Sequence, residues 1–131
     1  MTPGAVRDLK AMLVGLDPRL DERAWCFQPV ADDALLPDTA FALIREEDGA
    51  CAITPASSAE DDAPRFARIT LGVQSDLEGV GLTGTVASVL AKSGIACNVV
   101  AGLQHDHLFV PHASANEALE LLRQISLDAR E

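Results

Sequence analysis

The sequence is short of aromatic and of basic residues, and each shortage argues against a class of partner. Aromatic residues make up 4% of the 131 residues, and ten Lys and Arg stand against twenty Asp and Glu, a net charge of −10. An acidic chain without a basic cluster is repelled by phosphate backbones. The few aromatics are not interleaved with basic residues, as base stacking would require. We therefore expect no nucleic-acid partner.

Long apolar runs and a regular cysteine pattern are also missing. No stretch of 18 uninterrupted apolar residues occurs, so no membrane span is expected. The first four residues lack the basic start and apolar block of a secretory signal. Cys26, Cys51 and Cys97 are an odd, scattered set, which suits reduced thiols better than a disulfide framework or a zinc site. These features predict a cytoplasmic protein with no cofactor.

The chain does have a high apolar content and an uneven charge. Apolar residues make up 48% of it, enough for the core of one compact domain or of two small halves sharing a core. Residues 1–62 carry 13 acidic and 5 basic side chains, whereas residues 63–131 carry 7 and 5. Residues 55–64 are rich in Ala, Ser and Asp and have room for a short helix. We place a boundary there, between an N-terminal half, 1–62, and a C-terminal half, 63–131.

Apolar periodicity in the first half predicts a leading helix followed by strands. Val6, Leu9, Leu13 and Leu16 fall on one helical face, and Asp17-Pro18 ends that helix. A loop is expected over 30–38, and an Asp-Gly pair at 48–49 indicates a tight hairpin. The predicted strands cover 24–28, 39–45 and 50–54.

The second half reads as β-α-β-β-α. A helix starting at Leu82 should end at Ser93-Gly94, where Gly94 suits a left-handed cap. The final helix should open with a capping box in which Ser114 and Glu117 satisfy each other's free amides. The predicted strands cover 68–74, 96–103 and 107–111. The aromatic residues expected in the core of the whole chain are Trp25, Phe27, Phe41, Phe66 and Phe109.

A glycine run at residues 79–84 matches the G-x-G-x-x-G pattern of dinucleotide-binding folds, with Asp106 downstream as the acidic partner. In such folds the next strand leads to another crossover helix, which needs about a dozen residues or more. Here only residues 104–106 separate two predicted strands, which permits a hairpin and excludes a crossover. The glycines must therefore serve another purpose.

Two explanations of the glycines remain open. Gly79 and Gly81 could simply permit a turn and a close strand–helix approach, with Gly84 letting the helix sit near a neighbour. Alternatively, the free amides of a helix that starts at Gly81 offer an anion site. Ser75, Asp76 and Glu78 would then supply acceptors beside it. An amino acid has one carboxylate for the amides and one ammonium for a carboxylate, so its chemistry fits.

The histidines near Asp106 suggest a metal-dependent enzyme as a further alternative. His105 and His107 would point to the same side of a strand, as two metal ligands could. They sit at a predicted hairpin turn, where polar residues are expected anyway, and no fourth ligand is evident. Neither a G-x-S-x-G nor a Cys-His signature is present. We therefore favour a protein that is not an enzyme.

At this point the sequence resembles a known family. The run from Glu78 to Pro111, which ends in Asp106-His107-Leu-Phe-Val-Pro111, is similar to ACT domains. It is most similar to short bacterial tandem ACT-like proteins and to the C-terminal module of the CASTOR arginine sensors, strongly over 66–125 and only in position over 18–62. ACT domains are regulatory modules with a ferredoxin-like βαββαβ fold. The resemblance implies an α+β protein of tandem ACT-like halves with antiparallel sheets, paired into a homodimer.

The resemblance also implies a ligand site. ACT domains typically bind amino acids between paired domains, and Asp106 matches an aspartate that holds the basic end of the ligand in arginine sensors. Asn98 lies on the strand that often lines ACT sites. Gly79 stands where arginine sensors have a glutamate, so one ligand carboxylate is missing and arginine is not specified. The turn that matches the ligand-contacting loop consists of Glu78, Gly79, Val80, Gly81 and Leu82.

We therefore expect a regulatory or sensor module that binds a small amino acid at an interface between halves or subunits. A second hypothesis is a pure oligomerisation module that pairs through sheet edges and binds nothing small.

Overall fold

The protein was analysed as a computed structural model that describes residues 5–31, 33, 35–56 and 62–131. These residues form three α-helices and six strands. In chain order they are α1 (Leu9–Val14), β1 (Pro18–Val30), β2 (Ala42–Glu46), β3 (Gly49–Pro55), β4 (Phe66–Leu71), α2 (Leu82–Lys92), β5 (Asn98–Ala101), β6 (Asp106–Pro111) and α3 (Ala115–Ala129). A 3-10 turn, His112–Ser114, leads into α3.

The six strands form a single antiparallel sheet in the order β2-β3-β1-β4-β6-β5. Because β6 lies between β4 and β5, these two strands run parallel and α2 crosses between them, as in a ferredoxin-like split βαβ unit. The predicted α+β class and the order β-α-β-β-α of the second half are confirmed. The long strand β1 lies beside β4, the place of the fourth strand in a ferredoxin-like unit.

Both predicted hairpins are present. Glu47 and Asp48 form the turn between β2 and β3, and Gly49 pairs with Glu46 at a φ of +137° that favours glycine. Residues 102–105 connect β5 to β6, which pair antiparallel from Ala101 with Asp106 onward. This second hairpin confirms that β5 leads directly to β6 and not to a second crossover helix.

Several boundaries differ from the predictions. β1 is longer than 24–28, because its first part pairs with β4, with a register irregularity between Leu20 and Ala24, and its second part pairs with β3. The capping box was wrong: Ser114 makes no side-chain capping hydrogen bond. The 3-10 turn runs directly into α3, so Ser114 lacks the extended backbone that an N-cap side chain needs. The predicted end of α2 is confirmed, with Gly94 at a φ of +73°.

The three helices cover one face of the sheet. Alternate residues of β4 and β6 point to this face, among them Ala67, Ile69 and Leu108. The residues that pack against them from the helices and from the segment after α1 are all buried: Met12, Leu16, Val86, Leu90, Ala118 and Leu122. Ser126 of α3 is also buried, and its hydroxyl donates to the Val14 carbonyl at 3.0 Å.

An aromatic cluster lies on the other face. Trp25 and Phe109 are fully buried there, and Phe27, Phe41 and Phe66 pack against them. The rings meet edge-to-face with centroids 5.4 to 6.5 Å apart, the arrangement that aromatic pairs prefer. The predicted core role of these five residues is confirmed.

A charged group joins the aromatic cluster, and we call it the Asp21–Arg68 pair. Arg68 Nη2 donates to Asp21 Oδ2 at 2.8 Å, and the Arg68 guanidinium lies 4.8 Å from the Trp25 ring centre. Arg23 also donates to the Asp21 carboxylate. These donors, Arg23 first, lower the pKa of Asp21 to about 2, although partial burial opposes them.

The predicted boundary and its optional short helix fall partly on residues 57–61, which lie outside the described residues. The sheet itself continues across the boundary through the pairing of β1 with β4. The division at residue 62 therefore stays a prediction. No helix in the described part of the chain is long and apolar enough to cross a bilayer.

Candidate functional site

A cavity of about 170 Å³ lies where the predicted glycine turn meets α1 and β6, and we call it the glycine-turn cavity. Its walls come from the turn after β4, the first turn of α2, the end of β5 and the start of β6. The residues that line it are Met12, Ser75, Asp76, Leu77, Gly79, Gly81, Leu82, Thr83, Gly84, Ala101 and Asp106.

The start of α2 gives one wall of the cavity. Gly81 is the N-cap, with a φ of +105°, and no side chain caps the helix. A Cβ at Gly81 would lie 3.1 Å from Leu9 Cδ2, so both the backbone and the packing call for glycine. The amides of the first turn have no acceptor within the helix. This wall is therefore suited to an anion.

Gly79 and Gly84 have different roles. Gly79 closes a turn by donating to the Asp76 carbonyl at 2.9 Å, and a Cβ there would approach that oxygen to 3.1 Å. A Cβ on Gly84 would meet no atom within 4 Å. The suggestion that Gly84 allows a close helix contact was therefore wrong, because its open side faces free space beside the cavity.

Asp76 is held within the turn by the chain itself. Its Oδ1 accepts the Glu78 amide at 2.8 Å, and its Oδ2 lies 3.3 Å from Arg7 Nε. The hydrogen bond from the Glu78 amide lowers the pKa of Asp76 most; burial opposes this effect, and the nearby Arg7 lowers the pKa further. Only 6% of the side chain is exposed. Asp76 is therefore an ionised carboxylate whose Oδ1 is hydrogen-bonded, whereas its buried Oδ2 has the Arg7 cation beside it but accepts no hydrogen bond among the described residues.

Arg7 comes from the segment before α1, which adds a short parallel bridge beside the turn. The Val6 amide donates to the Gln74 carbonyl at 2.8 Å, and the Asp76 amide donates to the Val6 carbonyl at 2.9 Å. The Arg7 guanidinium also contacts the Glu78 carboxylate. The prediction that Val6 lies on the first helix was wrong, because Asp8 caps α1 and the helix begins at Leu9.

Asp106 is the second carboxylate of the cavity and has few partners. It is the first residue of β6, is half-buried, and accepts a long hydrogen bond of 3.4 Å from Ser75 Oγ. Burial raises its pKa, and the Ser75 hydroxyl and the charge of His105 oppose that change only in part. A cationic group in the cavity would stabilise the ionised form of Asp106, which burial disfavours.

Five of the predicted site residues line the cavity: Asp76, Gly79, Gly81, Leu82 and Asp106. Three do not. Glu78 and Val80 point to solvent, with Val80 82% exposed. Asn98 lies at the far end of β5 from Ala101, and its amide donates to the Phe109 carbonyl.

Sequence reasoning missed Met12, Leu77, Ala101 and the nearby Arg7. Met12 was hidden because it looks like any core residue of an amphipathic helix. Arg7 is remote from the turn in sequence, and no local pattern links it to Asp76. Thr83 lines the cavity as part of the first helical turn, Gly81-Leu82-Thr83, whose free amides form the predicted anion site.

The histidines do not form a metal site in the described structure. No three His, Cys, Asp or Glu side chains converge among the described residues. Thr70 Oγ1 lies 2.9 Å from His107 Nδ1, and the His107 ring packs on Phe41 with centroids 4.8 Å apart. Burial and the nearby Arg68 lower the pKa of His107. His105 lies outside β6, in the hairpin loop.

A solved structure from Vibrio cholerae decides the family of this chain. The protein VC0802, of unknown function and described as a possible transport protein, shares 33% sequence identity over 90% of this chain and 95% of its own, with a TM-score of 0.74. The chain belongs to the VC0802 family. No protein-family model and no curated protein matches the sequence.

The fold of the VC0802 family extends to more distant structures. Atu0741 from Agrobacterium tumefaciens has a TM-score of 0.66 at 16% identity and covers 83% of this chain and 87% of its own. The regulatory subunit of aspartate kinase from Thermus thermophilus, in a ligand-free form, has a TM-score of 0.61 at 10% identity, over 85% and 97%. Aspartate kinase regulatory subunits are ACT-domain proteins, so the ACT-like fold is confirmed.

Proposed function

We propose that this protein is a cytosolic, non-enzymatic regulatory or sensor module that binds a small amino acid in the glycine-turn cavity. The observation that carries the proposal is the pairing of two opposite features in one cavity. Uncapped amides at the start of α2 lie on one side, and the half-buried, sparsely paired Asp106 lies on the other. An α-amino acid presents one charge to each.

The size of the cavity favours a small ligand. Pockets for drug-sized ligands usually measure roughly 300–1,000 Å³, whereas this one measures about 170 Å³. A contact at a helix terminus contributes up to ~2 kcal/mol, and a hydrogen bond to a charged group about 1.5–3 kcal/mol. Two such contacts with some apolar burial correspond to a dissociation constant in the high micromolar to millimolar range. This range suits a sensor of an abundant metabolite.

The fold supports a regulatory role. The aspartate kinase chains that share it are regulatory subunits, and the earlier resemblance to arginine sensors covers the turn that lines the cavity. We further propose a homodimer, with the ligand held near the contact between subunits. Exposed Val80 and Leu103 flank this part of the molecule in sequence, with 82% and 66% of their surface exposed. Burial in a dimer would remove that apolar area from water.

A thermal-shift screen against the twenty amino acids tests the proposal. At ~10 mM, a ligand with a millimolar dissociation constant stabilises the folded protein by about 1.4 kcal/mol. We expect at least one amino acid to raise the melting temperature by a few degrees. Asp106→Asn serves as the control, because it keeps the side-chain shape and removes the charge. It should abolish the shift.

Two outcomes would contradict the proposal. One is that no amino acid raises the melting temperature of the wild-type protein. The other is that Asp106→Asn responds as strongly as the wild type.

The alternative is an oligomerisation module without a ligand, and one observation favours it. β2 is an edge strand of the sheet, and Leu43 and Ile44 on it are 38% and 37% exposed. Edge strands with apolar side chains invite pairing with another chain. This alternative would be favoured if the protein is a dimer in solution and no amino acid changes its mass or its melting temperature.

A further inference from the structure

We infer that Arg7 acts as a built-in counter-charge that makes the glycine-turn cavity selective for small neutral amino acids over basic ones. This inference rests on the proposed function and names the class of ligand for the same cavity. It concerns a residue before the first helix that the sequence patterns did not connect with the site.

Arg7 contacts both carboxylates of the turn. Its Nε lies 3.3 Å from Asp76 Oδ2, and its Nη2 contacts Glu78 Oε2. The backbone fixes this arrangement, because the Val6 amide donates a hydrogen bond to the Gln74 carbonyl and the Val6 carbonyl accepts one from the Asp76 amide. Arg7 is therefore held beside the turn by the chain direction as well as by its charge.

The charges near the cavity can then be counted. Asp76 and Glu78 share the cation of Arg7, although the buried Asp76 Oδ2 accepts no hydrogen bond among the described residues. Asp106 has only the Ser75 hydroxyl as a hydrogen-bond partner in the described structure. It is the carboxylate left for the ammonium of the ligand. The first-turn amides of α2 take the carboxylate of the ligand.

A second cation on the ligand would find no carboxylate without a cation beside it, because Asp106 takes the ammonium of the ligand and Arg7 contacts Asp76 and Glu78. To reach Asp76, a lysine-like side chain would have to displace Arg7, or lie close to it at the cost of like-charge repulsion. A neutral side chain instead meets Met12, Leu77 and Leu82 in the cavity wall. The same arrangement explains why the acidic turn, which looks suited to a basic ligand, does not act as a basic-ligand site.

Two ligands that differ at one group provide the test. Norvaline and 2,4-diaminobutyrate have side chains of equal length that end in a methyl and an ammonium group. We would measure both dissociation constants by isothermal titration calorimetry on the wild type, Arg7→Gln, Arg7→Lys and Arg19→Gln. Arg19 is the matched control, because it is an exposed arginine paired with Asp17.

The wild type should bind norvaline about tenfold tighter or more, a difference of 1.4 kcal/mol. Arg7→Gln should shift the ratio by about tenfold towards 2,4-diaminobutyrate, because Asp76 and Glu78 lose their cation. Arg7→Lys and Arg19→Gln should keep the wild-type preference. If Arg7→Gln does not fold, the wild-type ratio and the Arg7→Lys ratio still decide the matter.

The inference is overturned if the wild type binds the two ligands equally, or if Arg7→Gln leaves the ratio unchanged while norvaline still binds. In those cases the proposed function survives. If neither ligand binds the wild type or any variant, the inference fails together with the proposed function.

Discussion

Asp21 and Asp106 are two aspartates on strands of the same sheet, and they differ in the hydrogen-bond donors that surround their carboxylates. Asp21 accepts hydrogen bonds from both Arg23 and Arg68, and its pKa falls to about 2. Asp106 accepts one long bond from Ser75, and burial raises its pKa. The protein therefore supplies arginine donors to the carboxylate of Asp21, but only one weak hydroxyl donor to the carboxylate of Asp106.

This difference in pairing indicates that Asp21 contributes to the stability of the fold, whereas Asp106 is available for binding. A buried polar group stabilises a fold only when its partners are supplied, and an incompletely paired group costs stability. The Asp21–Arg68 pair also packs against Trp25 and Phe41, so it belongs to the aromatic cluster. Asp106 lines a cavity, where a ligand could supply the positive charge and the hydrogen-bond donors that the protein does not. Four variants sharpen or break this comparison.

The largest effect is expected from Arg68→Ala. The change removes the cation between Asp21 and the rings of Trp25 and Phe41, and leaves a carboxylate with 16% exposure less well paired. We expect the free energy of unfolding to fall by about 3 kcal/mol, measured by urea denaturation. Arg19→Ala is the control, because its ion pair with Asp17 is exposed and should contribute less than about 1 kcal/mol. Equal losses for the two variants would show that the Asp21–Arg68 pair is no more than a surface contact.

The next effect is a difference in pH dependence between Asp21→Asn and Asp106→Asn. The folded pKa of Asp21 lies below its ordinary value of 3.8, so its stabilisation is present above about pH 4 and is lost as the pH falls towards 2. Asp21→Asn should lower the free energy of unfolding at pH 7 by roughly 1.5–3 kcal/mol and flatten this acid limb.

The folded pKa of Asp106 is raised, so the sign is reversed. The wild type loses stability as the pH rises through that pKa, because the carboxylate must ionise in a half-buried place. Asp106→Asn should lack this loss and be at least as stable as the wild type at pH 7. Unfolding curves from pH 2 to 8 measure both effects. A destabilised Asp106→Asn would show that Asp106 serves the fold.

The smallest effect is expected from Gly84→Ala, which should act in opposite directions on stability and on binding. Glycine within a helix costs about 0.5–1 kcal/mol relative to alanine, and the new methyl group would meet no atom within 4 Å. The melting temperature should therefore rise slightly. The same methyl narrows the glycine-turn cavity, so the ligand-induced shift should shrink. A variant that keeps the full ligand shift would place the ligand away from the first turn of α2.

Local patterns predicted much of the fold. The hairpin at Glu47-Asp48, the hairpin before β6 and the end of α2 at Gly94 each depend on a few adjacent residues, and all were found. The full length of β1 was not, because it depends on pairing with both β3 and β4, which are distant in sequence. The capping box at Ser114 failed because Ser114 ends a 3-10 turn that continues into α3 and therefore lacks the extended backbone of an N-cap.

In the candidate site, too, the residues set by local sequence could be predicted, whereas those set by pairing between distant segments could not. The glycines and Asp106 could be predicted because turn chemistry and the family resemblance both point to them. Asn98 was placed on the right strand, but the register sets it at the end of β5 away from the cavity. Arg7 could not be found, since its contact with Asp76 depends on a parallel bridge between Val6 and Ser75. Such bridges leave no periodic signal in the chain.

The hydrogen bond from Ser126 to the Val14 carbonyl spans 112 positions of the chain. Met12 and Leu16 likewise share their apolar cluster with Leu122 of the last helix. During synthesis at roughly 5–20 residues per second, the first helix leaves the ribosome several seconds before its partner exists. Its contacts with α3 cannot form before then, although β4 and α2 of the same cluster already exist. We therefore expect the core to close in one late step, when α3 has emerged.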